Sequence, residues 1–152
     1  VTGFGIGASV KRREDRRLLR GDGRFADDFN AAGQAYAAFV RSPHAHADVL
    51  GIDDGAARAV DGVLDVFTGR DLAAGGVGAI PTLIAERGGG IRSRDGSPFA
   101  DPVWYPLAID RVRHAGEPLA LVIAETAAAA EDGAAAVTVR YAPRPAVVDG
   151  GA

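Results

Sequence analysis

Alternation and short apolar runs divide the chain into strands and one longer helix. Gln34 to Val40 reads as a strand, with Tyr36, Ala38 and Val40 on one face and Ala35, Ala37 and Phe39 on the other. Both faces are apolar, which predicts a central strand. Pro43 ends it, because proline has no N–H to give to a ladder. Ala47 to Ile52 is a second short strand. Asp53 is placed to cap a short helix running to about Val60, with Gly62 just past its end. Val63 to Phe67 is a third strand, and Gly69 and Asp71 mark its exit. Leu119 to Ala124 is apolar on both faces and reads as buried. Thr126 can cap a helix over Ala127 to Ala136. That helix has almost no large apolar side chain, and Gly133 costs it about 1 kcal/mol relative to Ala. It cannot hold alone, but its small residues suit close docking on a sheet. Val137, Val139 and Tyr141 then alternate with Thr138 and Arg140 as a half-buried strand. Pro143 and Pro145 confine the residues beyond Tyr141 to an edge or an extended tail.

The rest of the chain is less regular. Residues 1–24 read as an N-terminal arm: a glycine-containing start, a mixed-charge run from Lys11 to Arg20 anchored by Leu18-Leu19, and a turn at Gly21-Asp22-Gly23. Residues 25–149 read as a single domain, and residues 150–152 as a tail. Within the domain, residues 73–103 carry repeated glycines and three prolines (Pro81, Pro98, Pro102) without a steady period. They read as a long loop insertion, in which Ile80 to Ala85 could form a short piece of structure. The expected class is α+β: a mixed sheet, two short helices and a long Gly/Pro-rich loop.

Composition narrows the function classes. The chain has 152 residues, enough for one domain with a real core. A net charge of −3 is too small to imply a nucleic-acid partner. Lys11 is the single lysine among 17 basic residues. The absence of cysteine removes disulfides, thiolate metal sites, iron–sulfur ligation and a cysteine nucleophile from this chain. No apolar run approaches the roughly 18 residues of a membrane span. Arg12-Arg13 is followed by Glu14-Asp15 rather than an apolar stretch, so a twin-arginine signal is not expected and the cytoplasm is the default location. The chain has no Met and begins with Val1, which points to a fragment or to a non-standard start.

Candidate chemistry centres on two stretches, Arg41-Ser42-Pro43-His44-Ala45-His46-Ala47 and Val112-Arg113-His114-Ala115-Gly116-Glu117-Pro118, which hold all three histidines. On a strand His44 and His46 would share a face, and His114 could be a third ligand. A zinc site also needs fixed outer partners, and no HExxH accompanies them. A structural or interface role is favoured. Glu117, after Gly116 and before Pro118, could be a general base if desolvated, but a turn or backbone-capping role fits better. Gly3, Gly5 and Gly7 lack the preceding strand that a phosphate cradle needs. Asp27-Asp28 and Asp53-Asp54 are adjacent pairs whose side chains diverge. Trp104 and Tyr105 could stack on a ligand, though they more simply anchor a loop end. Ser9, Ser42, Ser93 and Ser97 have no nucleophile elbow around them.

Read in order, these motifs resemble a known family. Ser9-Val10, Arg12, Glu14-Asp15, Arg17-Leu18-Leu19, Gly21, Gly23, Phe25 and Asp27-Asp28 are similar to the opening of the molybdopterin-binding large subunits of the xanthine dehydrogenase, aldehyde oxidase and aerobic carbon monoxide dehydrogenase family. The Arg41–Ala47 stretch comes next, in place. After it come Ile52-Asp53, Gly62-Val63, Val66-Phe67-Thr68-Gly69, Asp71-Leu72, Val112-Arg113, Gly116-Glu117-Pro118 and Val139-x-Tyr141-x-Pro143. The resemblance covers about residues 6–149 and points to the N-terminal a/b hammerhead domain of that subunit.

It implies a scaffold that packs on molybdopterin-binding domains or a subunit, and possibly on iron–sulfur and flavin subunits. Molybdopterin (Mo), [2Fe–2S] and FAD would sit on other domains or subunits. The family's catalytic and cofactor-holding residues lie beyond the hammerhead, so no catalytic, cofactor-binding or metal residue carries over. Arg41, His44, His46, His114 and Glu117 would fix loops and contacts. Two rivals stand beside this reading: a free-standing small-molecule or protein-binding module using loop 73–103, and a small metalloenzyme built on the histidines. A lone scaffold is also expected to expose apolar patches.

Overall fold

A computed structural model describes residues 5–7, 11–82, 91–98 and 101–149. Contacts divide the chain into two units, Val1–Gln34 and Ala35–Ala152. In the first, α1 (Asp15–Leu18) is a single turn, and a 3-10 turn spans Ala26–Asp28. The Asp28 carboxylate closes that turn by accepting the Phe25 N–H at 2.8 Å, which is the use the fold makes of the Asp27-Asp28 pair. Of the expected Leu18-Leu19 anchor, Leu18 is half-buried and Leu19 is 87% exposed. Neighbours on a helix point about 100° apart, so one short turn cannot bury both.

Among the described residues of the second unit, six strands form two antiparallel three-stranded sheets. β5 (Pro118–Ala124) lies between β1 (Tyr36–Arg41) and β3 (Val63–Thr68). β2 (Ala47–Asp53) lies between β4 (Arg111–Val112) and β6 (Thr138–Pro143). The α+β class holds. The single mixed sheet does not: every pairing is antiparallel, because periodicity marks a strand without naming its partner or direction. β1 is correspondingly an edge strand. Its register sets Phe39 beside Leu121, and Leu121 beside Phe67, in one apolar row across the sheet. Phe39 remains 48% exposed, with the Arg41 guanidinium 5.2 Å above its ring. The apolar second face of β1 is thus half-open surface rather than core.

The opposite face of this sheet is the buried one. Val66, Ala120 and Val122 form a core with Ala57, and Val40, Val63, Ala134 and Val137 pack around it. The cover is α4 (Ala127–Ala136), begun where the Thr126 side chain accepts the Ala129 N–H. Small residues let α4 sit close. A Cβ on Gly133 would lie 2.9 Å from both Val122 Cγ1 and Val63 Cγ2, so the cost of a helical glycine is offset by that approach. A second core joins Ala47, Val49, Ala108, Val112 and Leu119, with Ile52, Val139 and Tyr141 packed on it.

Two local expectations change. α2 covers only Gly55–Arg58, and Asp54 precedes it without a side-chain cap. Asp53 still contributes, since its carboxylate accepts the Gly55 N–H at 3.1 Å, a turn closed two residues on. Gly69 and Asp71, expected to mark a strand exit, begin α3 (Gly69–Ala74). Thr68 and Asp71 cap it reciprocally: the Asp71 N–H donates to Thr68 Oγ1, and the Thr68 N–H donates to the Asp71 carboxylate. The Thr68 hydroxyl also donates to that carboxylate at 2.6 Å, and this bond first, then the one from the Thr68 N–H, holds the Asp71 carboxyl below its ordinary range. The described helices therefore number four.

In the loop region the Ile80 N–H donates to the Trp104 carbonyl at 2.7 Å, and Arg92 bridges Pro98. Trp104 thus ties a loop end through its backbone, while the residue stays 39% exposed. Gly3, Ser9, the end of the expected Ile80–Ala85 piece and the tail lie outside the described residues. Among the described residues no helix is long and apolar enough to cross a membrane.

Candidate functional site

The two histidine-bearing stretches meet at the ends of β1 and β5 and lock onto each other. The Ser42 N–H donates to the Glu117 carbonyl at 2.9 Å, and the Gly116 N–H donates back to the Ser42 carbonyl at 2.8 Å. Arg41 Nη1 adds a bond to the Gly116 carbonyl at 2.9 Å. Gly116 adopts φ +86°, a left-handed turn that disfavours a side chain.

Ser42 and Glu117 are the buried polar residues of this joint, 3% and 6% exposed. The Ser42 hydroxyl accepts the His44 N–H at 3.0 Å and donates to the His44 carbonyl at 3.1 Å, so it shapes a turn. A hydroxyl held this way is not poised as a nucleophile. The Glu117 carboxylate accepts the Arg113 N–H, and His114 Nδ1 lies 3.6 Å from the same oxygen. It closes the 113–117 turn. A general base needs an unengaged oxygen within reach of a substrate proton.

The histidines go separate ways. They sit in loops rather than on a strand, so His44 and His46 do not share a face. The His44 ring meets Tyr141 edge-on, with centroids 4.7 Å apart. Burial pushes the Tyr141 phenol above its usual pKa range, partly offset by a hydrogen bond with Ser42. His46 Nδ1 lies 2.6 Å from the Pro145 carbonyl. A carbonyl only accepts, so this nitrogen carries the proton. His114 leans on Trp104, with centroids 5.7 Å apart. Among the described residues no three of His, Asp and Glu gather as a metal-holding group, and no buried side-chain polar atom lacks a partner. With no cysteine, the chain offers no thiolate ligand to an iron–sulfur cluster.

Residues the motifs did not single out complete the joint. Asp48 on β2 accepts Arg111 Nε at 2.7 Å and Arg144 Nε at 2.5 Å. The Arg144 N–H also donates to the His46 carbonyl at 2.9 Å. One carboxylate thereby ties β2, β4 and the segment after β6. The alternation Arg111-x-Arg113 was the available sequence signal for one partner; Asp48 and Arg144, 96 residues apart, offered none. Arg111, then Arg144, holds the Asp48 carboxyl below its ordinary range. Such a group contributes stability above its unfolded pKa and loses that contribution as pH falls through the folded one. Asp48→Asn is therefore expected to be less stable than the parent at neutral pH, with the gap closing as pH falls below 3.8. Urea unfolding across a pH series checks this.

Comparison with known proteins places this joint in context. The family model described as "Aldehyde oxidase and xanthine dehydrogenase, a/b hammerhead domain" matches residues 20–145. The chain belongs to this family. The hammerhead is 43% identical over 128 residues to the nicotine 6-hydroxylase large subunit of Paenarthrobacter nicotinovorans, covering 84% of this chain and 14% of that one. It is 34% identical to the carbon monoxide dehydrogenase large chain of Afipia carboxidovorans, covering 95% of this chain and 16% of that one. Among solved structures, quinoline 2-oxidoreductase from Pseudomonas putida 86 superposes with a TM-score of 0.71 at 37% identity, over 92% of this chain and 16% of that one. A crystal structure of Cu,Mo-CO dehydrogenase gives a TM-score of 0.72 at 34% identity, over 95% of this chain and 16% of that one. The hammerhead is thus a domain of molybdenum hydroxylase large subunits, and the chain spans about one-sixth of the length of these relatives.

Proposed function

We propose that this chain acts as the hammerhead scaffold of a xanthine/aldehyde/carbon monoxide dehydrogenase-like large subunit. It has no catalytic step of its own. It packs on the molybdopterin-binding portion, and molybdenum, [2Fe–2S] and FAD are carried by other domains or subunits of a cytoplasmic enzyme. The observation that carries this reading is the relation in length: relatives 34–43% identical contain the domain as only 14–17% of a far longer chain. The engagement of Ser42 and Glu117 in turn-forming bonds, and of the histidines with Tyr141, Pro145 and Trp104, supports it. So does the exposure of Leu50 at 57% and Leu64 at 55%, apolar surface that a partner would cover.

Complementation tests it. A large subunit lacking its hammerhead is expected to be inactive, and to regain activity and co-purify with this chain when the chain is supplied in trans. No association and no recovered activity would falsify the scaffold reading.

A further inference from the structure

Between the two histidine-bearing loops and the segment after β6 lies a cleft of about 430 Å³. Its wall carries Arg113, His46 and His114, and Ala115, Pro145 and Val147 make much of the remainder. Its charge is unbalanced. Arg58, Arg70, Arg111 and Arg144 each meet a carboxylate. Among the described residues the Arg113 guanidinium instead meets the Arg111 carbonyl, 3.2 Å from Nη1. The nearby acids are engaged elsewhere: Glu117 is turned inward to the Arg113 N–H with its side chain 8% exposed, and Asp48 takes Arg111 and Arg144. His46 is held by Pro145 through Nδ1, which leaves Nε2 as its second polar atom.

A guanidinium flanked by two imidazoles calls for an anion, and its planar fork suits a carboxylate. The neighbouring aliphatic surface, with Val147 81% exposed, calls for apolar cover on the same ligand. A free small anion would use only the first feature. We propose that this cleft holds a carboxylate borne on an apolar segment of a partner polypeptide. This deepens the scaffold reading by naming what one of its surfaces grips.

The test uses the full 152-residue chain. Calorimetry and histidine-ring NMR are recorded with an acetylated, amidated Ala-Val-Glu-Val-Ala-Pro peptide, its Gln counterpart, and sodium acetate. The Glu peptide is expected to move the His46 and His114 ring signals and to bind about threefold more tightly than the Gln peptide, the scale of an exposed ion pair. Arg113→Glu should abolish that preference. Arg113→Gln, which removes the charge without reversing it, should do the same should the first variant fail to fold. Arg140→Glu makes the same charge change in a different groove and should leave binding as it was. Equal binding of the Glu and Gln peptides overturns the proposal. Acetate binding as tightly as the Glu peptide overturns it in favour of a small-anion site, and an equal loss in Arg140→Glu reduces it to net charge. Peptide binding is read on this chain alone, so its failure leaves the complementation result standing.

Discussion

Leu119→Ala is expected to lower the unfolding free energy by about 2–5 kcal/mol, the range for emptying a fully buried leucine site. Leu119 is 0% exposed. The size of the effect comes from its position on β5. Its strand neighbours Ala120 and Val122 belong to the core under α4, whereas Leu119 belongs to the core of the β2 sheet, with Ala47, Val49, Ala108 and Val112. One side chain therefore carries the sheet of β5 into the core of the other sheet. Two of its neighbours there are alanines, which cannot swing in to fill a hole. A domain of this size has about 5–15 kcal/mol in total, so the variant should stand near its unfolding threshold. Urea titration with an unchanged m-value and a lower midpoint would match a cavity. An unfolding free energy within about 0.5 kcal/mol of the parent, the scale of surface substitutions, would show that the joint between sheets does not pass through Leu119.

The same strand shows what pattern reading captures. β5, α4 and β6 were legible because each depends on information local to its own residues: an apolar run, a Thr126 cap, an alternation ending at proline. β1 was legible as a strand and illegible as an edge. Phe39 and Val40 are equally apolar in sequence, and only the pairing with Leu121 and Ala120 sets one on a half-open face and the other against the core. α3 was missed for a different reason. It is six residues long with Leu72 its only large apolar side chain, and its start is set by the reciprocal capping of Thr68 and Asp71 rather than by a hydrophobic period.

The candidate site divides similarly. The two histidine-bearing stretches were visible as unusual. Their interlock at Ser42, Gly116 and Glu117 was not, because it joins residues about 75 positions apart through backbone atoms that carry no sequence signature. The histidines drew attention as possible ligands. Their neighbours, Tyr141, Pro145 and Trp104, make them parts of loops, and the unbalanced cation at their meeting point is Arg113.

Gly69→Ala is expected to destabilise the fold by about 1–3 kcal/mol, the usual cost of forcing a methyl group into filled space. A Cβ there would lie 2.6 Å from the Ala108 carbonyl oxygen, 2.7 Å from that of Leu107 and 3.0 Å from the Ala108 carbonyl carbon. All three are backbone atoms, so no side-chain rotation relieves the clash. Nor can that backbone withdraw cheaply, since the Ala108 N–H is bonded to the Pro118 carbonyl at 2.8 Å and Leu107 is buried. Gly69 also borders a cavity of about 150 Å³ with Val49 and Ala108, but the Cβ direction of an L-residue at this backbone aims at the carbonyls, so that space does not receive the methyl. The helical gain from replacing glycine, about 1 kcal/mol in a helix interior, is smaller at a first helical position and does not offset the clash. Gly78→Ala is the matched control: nothing lies within 4 Å of its added Cβ and its φ is not left-handed, so its unfolding free energy should stay within about 0.5 kcal/mol of the parent. Equal stability of the two variants would mean that the 107–108 segment shifts freely. The Pro118 bond would then not fix that segment against β5, and the close packing of α3 on it would be incidental to stability.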